Sequence, residues 1–182
     1  MRVCGMDLGR PGGVVVLSDE GPGKPRVLAA VALGARLSGL ELQRLVHRLA
    51  KEHGVELMAT ERPGAWGRAW VGMAQREKQG LVRAVCEALQ IRLVDYQPQE
   101  IKKAVTGHGR ADKEQVGRCV QMLVPIASEN EHVLDACAIA LVAINRERTR
   151  RNLEGQRKMG LPLRTASGFQ GRERRRARRK AR

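Results

Sequence analysis

No run of apolar residues in this 182-residue chain is long enough to span a bilayer, and no segment combines a basic start, an apolar centre and a small-residue cleavage site. A membrane-spanning or secreted protein is therefore not expected. Cys4, Cys86, Cys119 and Cys137 include no CxxC pair and all lie among apolar neighbours. That pattern excludes a disulfide framework and the usual structural zinc spacings, and it is read as reduced core cysteine in the cytoplasm. Aromatics are scarce: two Trp, one Tyr and one Phe. Internal repeats are absent. So is a glycine-rich loop opening a helix, because Gly9-Arg10-Pro11-Gly12-Gly13 falls between two strand-like runs, where a P-loop or dinucleotide site would need strand, loop and helix. The glycines there are expected to make a tight turn and to let a substrate backbone approach.

Acidic residues are scarce at one end only. From Arg146 to Arg182, fifteen Lys and Arg face just Glu147, Glu154 and Glu173, whereas residues 1–145 hold nineteen basic against sixteen acidic residues. Most of the formal net charge of +15 thus sits in the last fifth of the chain. Such a polycation points to nucleic acid or an anionic surface. Phe169 is its only aromatic and large apolar residues are few, so it lacks the face of an interfacial helix, and nucleic acid is the stronger reading. From about Gly155 the composition argues for a disordered or substrate-ordered tail.

The length suits one well-packed domain, 1–145, with a basic extension, 146–182. Strands are expected at Arg2–Leu8, Gly12–Leu17 and Val27–Leu33, joined by short turns that favour an antiparallel meander. Leu42, Leu45, Val46, Leu49 and Ala50 mark a helix that Gly54 stops. Val55–Thr60 reads as a fourth strand parallel to the first, Ile91–Tyr96 as a fifth, with a long helix over Ala69–Gln90 between them. Helices follow at Pro98–Ala104, Ala111–Leu123 and Glu131–Asn145, the last apolar nearly all round. This is the order of an α/β, ribonuclease-H-like fold: a mixed five-stranded sheet flanked by helices, with β1-β2-β3 antiparallel and β4 and β5 parallel to β1.

Against that frame four side chains stand out. Asp7 and Glu61 close the first and fourth strands, and His132 and Asp135, three residues apart, share one face at the start of the last core helix. A charge at the end of a buried strand is costly unless it is paired, bound to metal or at the mouth of a site. Hydrolysing a phosphodiester with two divalent ions needs several hard oxygen ligands around ions about 4 Å apart. Asp7, Glu61 and Asp135 supply them; His132 is suited to ligate, to position water or to move a proton. Glu129 and Glu131 beside it suit a helix-capping role. Trp66 and Trp70 follow Glu61 in a glycine-rich segment, where a tryptophan either stacks on an unpaired base or covers the core edge.

Met6-Asp7-Leu8-Gly9 resembles the opening Asp-x-Gly strand of RuvC-type Holliday junction resolvases, and Thr60-Glu61-Arg62 their second carboxylate. Ile101-Lys102-Lys103-Ala104-Val105-Thr106-Gly107-His108-Gly109-Arg110-Ala111-Asp112-Lys113-Glu114-Gln115-Val116 is similar to the family's most specific stretch, and Asp135-Ala136-Cys137-Ala138 to its final Asp-Ala-x-Ala helix. The likeness spans about residues 1–145. It implies a catalytic and metal-binding set of Asp7, Glu61, His132 and Asp135 with two Mg2+ or Mn2+ ions. Many family members carry aspartate where His132 stands. Lys102, Lys113, Arg110 and Trp66 become the implied DNA contacts, and a homodimer making paired symmetric nicks in four-way junctions the implied assembly, with the helix over 69–90 as the candidate interface. A bacterial or phage-infected cytoplasm and a branch-migration or replication partner follow from the same likeness, and the basic tail suggests a phage or otherwise divergent member. Two other readings stay open on the residues alone: a related nuclease acting on RNA or RNA–DNA hybrid, and a non-catalytic basic nucleic-acid-binding protein.

Overall fold

The computed structural model describes residues 1–21, 23–63 and 69–159. Five strands form one sheet: β1 (Arg2–Asp7), β2 (Gly12–Ser18), β3 (Arg26–Leu33), β4 (Leu57–Glu61) and β5 (Arg92–Tyr96). Their order is β3-β2-β1-β4-β5. β1 pairs antiparallel with β2 and parallel with β4, and β4 pairs parallel with β5. The helices are α1 (Gly39–His53), α2 (Ala69–Ala88), α3 (Pro98–Thr106), α4 (Lys113–Leu123) and α5 (Glu131–Lys158). The expected mixed sheet and strand directions are those observed. The chain divides into two units, Met1–Asn145 and Arg146–Arg182. Among the described residues no helix is long and apolar enough to cross a membrane.

Strand parity decides what faces what. Val3, Val15, Leu17, Leu57 and Ala59 point into one core with the apolar residues of α3, α4 and α5. Cys4, Met6, Val14, Val16 and Met58 point into the other, against α1 and α2. Both faces of β1 and β2 are covered, which is why these strands read as unbroken apolar runs rather than alternating ones. Because side chains alternate along a strand, Asp7 shares the α5-facing side with Val3 and Gly5, and Glu61 shares it with Leu57 and Ala59.

Two glycines set how closely α5 lies on this sheet. A Cβ on Gly5 would fall 2.3 Å from the Ala136 carbonyl oxygen, and one on Gly13 would fall 2.2 Å from that of His132. Helix backbone rests directly on strand backbone there, with Ala136 and Ala140 as the matching small residues. Gly13 therefore serves helix–sheet packing, where the sequence suggested access for a substrate backbone. α1 is opened by a capping box between Ser38 and Glu41, and α4 by one between Asp112 and Gln115. The cap places Asp112 and Ala111 before α4, so the helix starts two residues later than its apolar pattern suggested.

α5 also runs further than the apolar stretch to Asn145. Beyond that point Glu147 pairs with Arg150 and Arg151, and Arg150 with Glu154, at the i,i+3 and i,i+4 spacings that support a solvated helix. Residues 155–158, expected in the irregular tail, continue the same helix.

Candidate active site at the ends of β1 and β4

Asp7 is the last residue of β1 and Glu61 the last of β4. Met6 lies opposite Thr60 in the parallel ladder, so the two carboxylates leave the sheet side by side at the same level. The start of α5 arrives above them. Asn130 accepts hydrogen bonds from the His132 and Val133 amides at 3.0 and 3.2 Å, and its carbonyl accepts from Leu134. It is the N-cap; Glu129 and Glu131 are not what satisfies these amides. With the helix start fixed and Gly13 beneath it, His132 and Asp135 are aimed at Asp7.

Asp7, His132 and Asp135 offer ligand atoms that all lie within 4.8 Å of one another. His132 Nδ1 is 3.0 Å from Asp7 Oδ2, and the other oxygen, Oδ1, accepts from the Gly9 amide at 3.0 Å. Glu61 stands outside that triplet but is coupled to it. Burial, reinforced by the charges of Asp7 and Asp135, pushes its carboxyl up to about 7 against the opposing pull of Lys102 and Lys113, although its outer edge still meets solvent. Burial also raises Asp135, opposed by Lys113 and His132 and helped by Asp7 and Glu131. Crowded carboxylates that resist ionisation are a site short of positive charge. A divalent cation would relieve that shortage, and three carboxylates plus one imidazole are a donor set that suits it.

The expected basic contacts are distributed unevenly. Lys113 reaches the site: its Nζ is 3.2 Å from Glu131 Oε2 and 3.9 Å from Asp135 Oδ2. Glu131 also lies 3.5 Å from His132 Nε2, so it joins the lysine to the histidine. Lys102, on α3, acts on Glu61 through its charge. Arg110 is exposed in the α3–α4 loop, its amide 3.3 Å from His108 Nδ1. Trp66 lies outside the described residues. A shallow cleft beside the carboxylates is lined by Asp7, Leu8, Glu61, Arg62 and Pro63 together with Gln75 and Gln79 of α2. A wider groove runs from Asp135 along α4 past Lys113 and Arg118.

Two residues escaped the sequence reading. Lys78 lies on the same stripe of α2 as Val82 and Val85; it is buried, and its Nζ is 2.7 Å from the Gly9 carbonyl oxygen. A lysine on an otherwise apolar stripe was the signal. Gln79, its neighbour, donates to Thr60 Oγ1 at 3.1 Å beneath Glu61.

A β3-β2-β1-β4-β5 sheet with acids at the ends of its adjacent central strands, facing a helix that brings a third, defines a protein of the ribonuclease-H-like resolvase class. Residues 29–143 match the family model "Crossover junction endodeoxyribonuclease RuvC". The RuvC of Streptomyces coelicolor is 34% identical over 181 residues, covering 92% of each chain. That of Nitratidesulfovibrio vulgaris is 31% identical over 140 residues, 76% of this chain and 81% of its own. Among solved structures, Thermus thermophilus RuvC in complex with a Holliday junction substrate superposes with a TM-score of 0.73 at 25% identity, over 81% of this chain and 95% of that one. The yeast mitochondrial resolvase Ydc2 shares the fold, with a TM-score of 0.64 at 12% identity over 87% and 86%. The chain belongs to the RuvC crossover junction endodeoxyribonuclease family. The matched segment begins within β3, so it contains Glu61, His132 and Asp135 but not Asp7, whose membership of the site rests on geometry.

Proposed function

We propose that this protein is a divalent-metal-dependent endonuclease that resolves four-way DNA junctions, with Asp7, Glu61, His132 and Asp135 as its catalytic and metal-binding set. The observation that carries the reading is the convergence of Asp7, His132 and Asp135 within 4.8 Å, with the crowded Glu61 beside them. Mg2+ or Mn2+ fits the oxygen-rich donor set, and two ions fit a group of four ligands with Glu61 set apart from the other three. Such ions would supply Lewis acidity toward a water and toward the charge of the scissile phosphate. Asp7, Glu61 and Asp135 would supply the oxygen ligands that hold and orient them. His132, whose Nδ1 lies 3.0 Å from Asp7 Oδ2, would be the nitrogen ligand beside it, with Glu131 Oε1 3.5 Å from its Nε2.

Lys113 and Lys102 hold the phosphate. Lys113 is already poised on Glu131 and Asp135, so an incoming phosphate exchanges one anion for another on the same ammonium. Arg110, exposed in the α3–α4 loop, and Trp66 are the remaining proposed DNA contacts. Two copies about a two-fold axis suit paired symmetric nicks, and the outward face of α2, where Met73 is exposed, is the proposed interface. Domain 1–145 performs the chemistry. The polycation 146–182 adds sequence-independent affinity, and a branch-migration or replication motor is the proposed partner.

The test compares a labelled four-way junction with its linear duplex and with an RNA–DNA hybrid of the same sequence, in Mg2+ and in Mn2+. Paired symmetric nicks confined to the junction are the expected outcome. Preferential cutting of the hybrid would replace this reading with that of a related RNA-directed nuclease.

A further inference from the structure

Lys78 is a buried charged side chain that the proposed chemistry does not use. It sits on α2, one turn before Val82, and only 4% of it is exposed. A buried ammonium is costly unless its protons are all hydrogen-bonded, and burial draws its pKa below the ordinary lysine value. Its partners are not carboxylates. Nζ donates to the Gly9 carbonyl oxygen at 2.7 Å and to that of Leu8 at 3.3 Å, the two residues that follow Asp7. The charged groups acting on it are Arg10, which disfavours the ammonium, and Asp7, which favours it.

The turn it grips is the one that aims Asp7. Gly9 presents its carbonyl to Lys78 and its amide to Asp7 Oδ1, while Asp7 Oδ2 faces His132. Both oxygens of the carboxylate are therefore set, one by α5 and the other by a peptide tied to α2. There is little slack in that turn, since a Cβ on Gly9 would lie 2.7 Å from the Pro11 carbonyl oxygen. Without Lys78 the Leu8 and Gly9 carbonyls lose their donor, and the Gly9 amide is free to rotate away from Asp7.

We infer that Lys78 is a positioning residue of the metal site: by holding the Leu8 and Gly9 carbonyls it fixes the amide that orients Asp7. This rests on the assignment of Asp7 to the metal-binding set. Removing a partner that orients a ligand typically costs about 10- to 100-fold in metal affinity or activity.

The test uses the full chain without DNA. Wild type, K78M, K78Q and K78R are titrated with Mn2+ by calorimetry, and hydrogen exchange of the Gly9 amide is followed in the metal-free proteins. K78M is expected to exchange the Gly9 amide faster and to bind Mn2+ about tenfold or more weakly, with junction affinity unchanged. K78R, which keeps the donors, should recover much of the loss. A K78M protein that is less stable but keeps wild-type Mn2+ affinity and Gly9 protection overturns the inference, leaving Lys78 a structural residue only. Should K78M fail to fold, the same comparison is made with K78Q: a weakened Mn2+ affinity in a folded protein supports the inference and a wild-type one overturns it. Wild type that binds no Mn2+ strikes at the metal assignment itself, whereas wild-type binding with unchanged variants strikes only at Lys78.

Discussion

The first 145 residues and the last 37 have opposite economies of charge. The body holds nineteen basic against sixteen acidic residues and all four members of the proposed catalytic set; the extension holds fifteen basic against three acidic residues and none of that set. In the body, charges matter by position: Asp7, Glu61 and Asp135 are few and crowded, and the charges of Asp7 and Asp135 both act on Glu61. In the extension it is their number that the proposed binding role uses. Affinity for a phosphate backbone scales with the count of cations, whereas phosphodiester cleavage depends on ångström-level placement. Binding and chemistry are thereby proposed to sit in separable segments of one chain.

The largest effect is expected from the body. Asp135→Asn or Asp7→Asn should lower single-turnover junction cleavage by roughly three orders of magnitude, about 4 kcal/mol of transition-state stabilisation. Junction binding measured by gel shift should remain. Loss of binding in step with loss of cleavage would show that the two are not separable.

Next comes the contact that sets the site's height. Gly13→Ala places a methyl group 2.2 Å from the His132 carbonyl oxygen, backbone against backbone with no side chain free to move aside. A loss of about 2 kcal/mol or more is expected, a drop of several degrees in Tm by calorimetry. An unchanged Tm would mean that α5 does not rest on β2 as described.

Much of this was written in the sequence, and the reasons differ by residue. The sheet was legible because Arg2–Asp7, Gly12–Ser18 and Arg26–Leu33 are short apolar runs parted by glycine and proline turns. Asp7 and Glu61 were legible because a carboxylate that ends such a run is out of place, and strand parity then puts both on the α5 side. Gly13 misled, since a glycine that admits a helix looks the same in sequence as one that admits a substrate. Asn130 was hidden among Glu129 and Glu131, which are equally plausible caps on charge grounds. Lys78 was hidden for a related reason: its partners are main-chain carbonyls, and these have no sequence signature. The extension of α5 to Lys158 depends on Glu147 and Glu154 falling at helical spacing from Arg150, a pattern that the surrounding run of arginines obscures.

A third prediction removes the other side of the comparison. Deleting residues 160–182 should weaken junction binding and flatten its dependence on salt concentration, by an amount set by how many of the nine lost Lys and Arg contact phosphate. The cleavage rate at saturating protein should be unchanged. An unaltered salt slope would deny the extension its part in binding.

The smallest effect is in pH. In metal-free protein the Glu61 carboxyl titrates near 7, well above its ordinary value, so the folded state holds that proton more tightly than the unfolded one. The stabilisation is therefore complete in acid, below the unfolded value, and is lost as pH rises through about 7. Asp135 is shifted in the same direction. The Tm of metal-free protein should fall between about pH 5 and pH 8, and Glu61→Gln should make that fall shallower. Equal slopes for the two proteins would mean that Glu61 is not crowded by Asp7 and Asp135.

One measurement weighs both segments at once: the single-turnover cleavage rate of a labelled four-way junction in Mg2+ at saturating protein, for wild type, for Asp135→Asn and for the chain ending at Met159. Wild-type and shortened chains nicking at equal rates, with Asp135→Asn bound but silent, is the predicted result. A shortened chain that binds to saturation yet does not cut, or an Asp135→Asn protein that does, would contradict it.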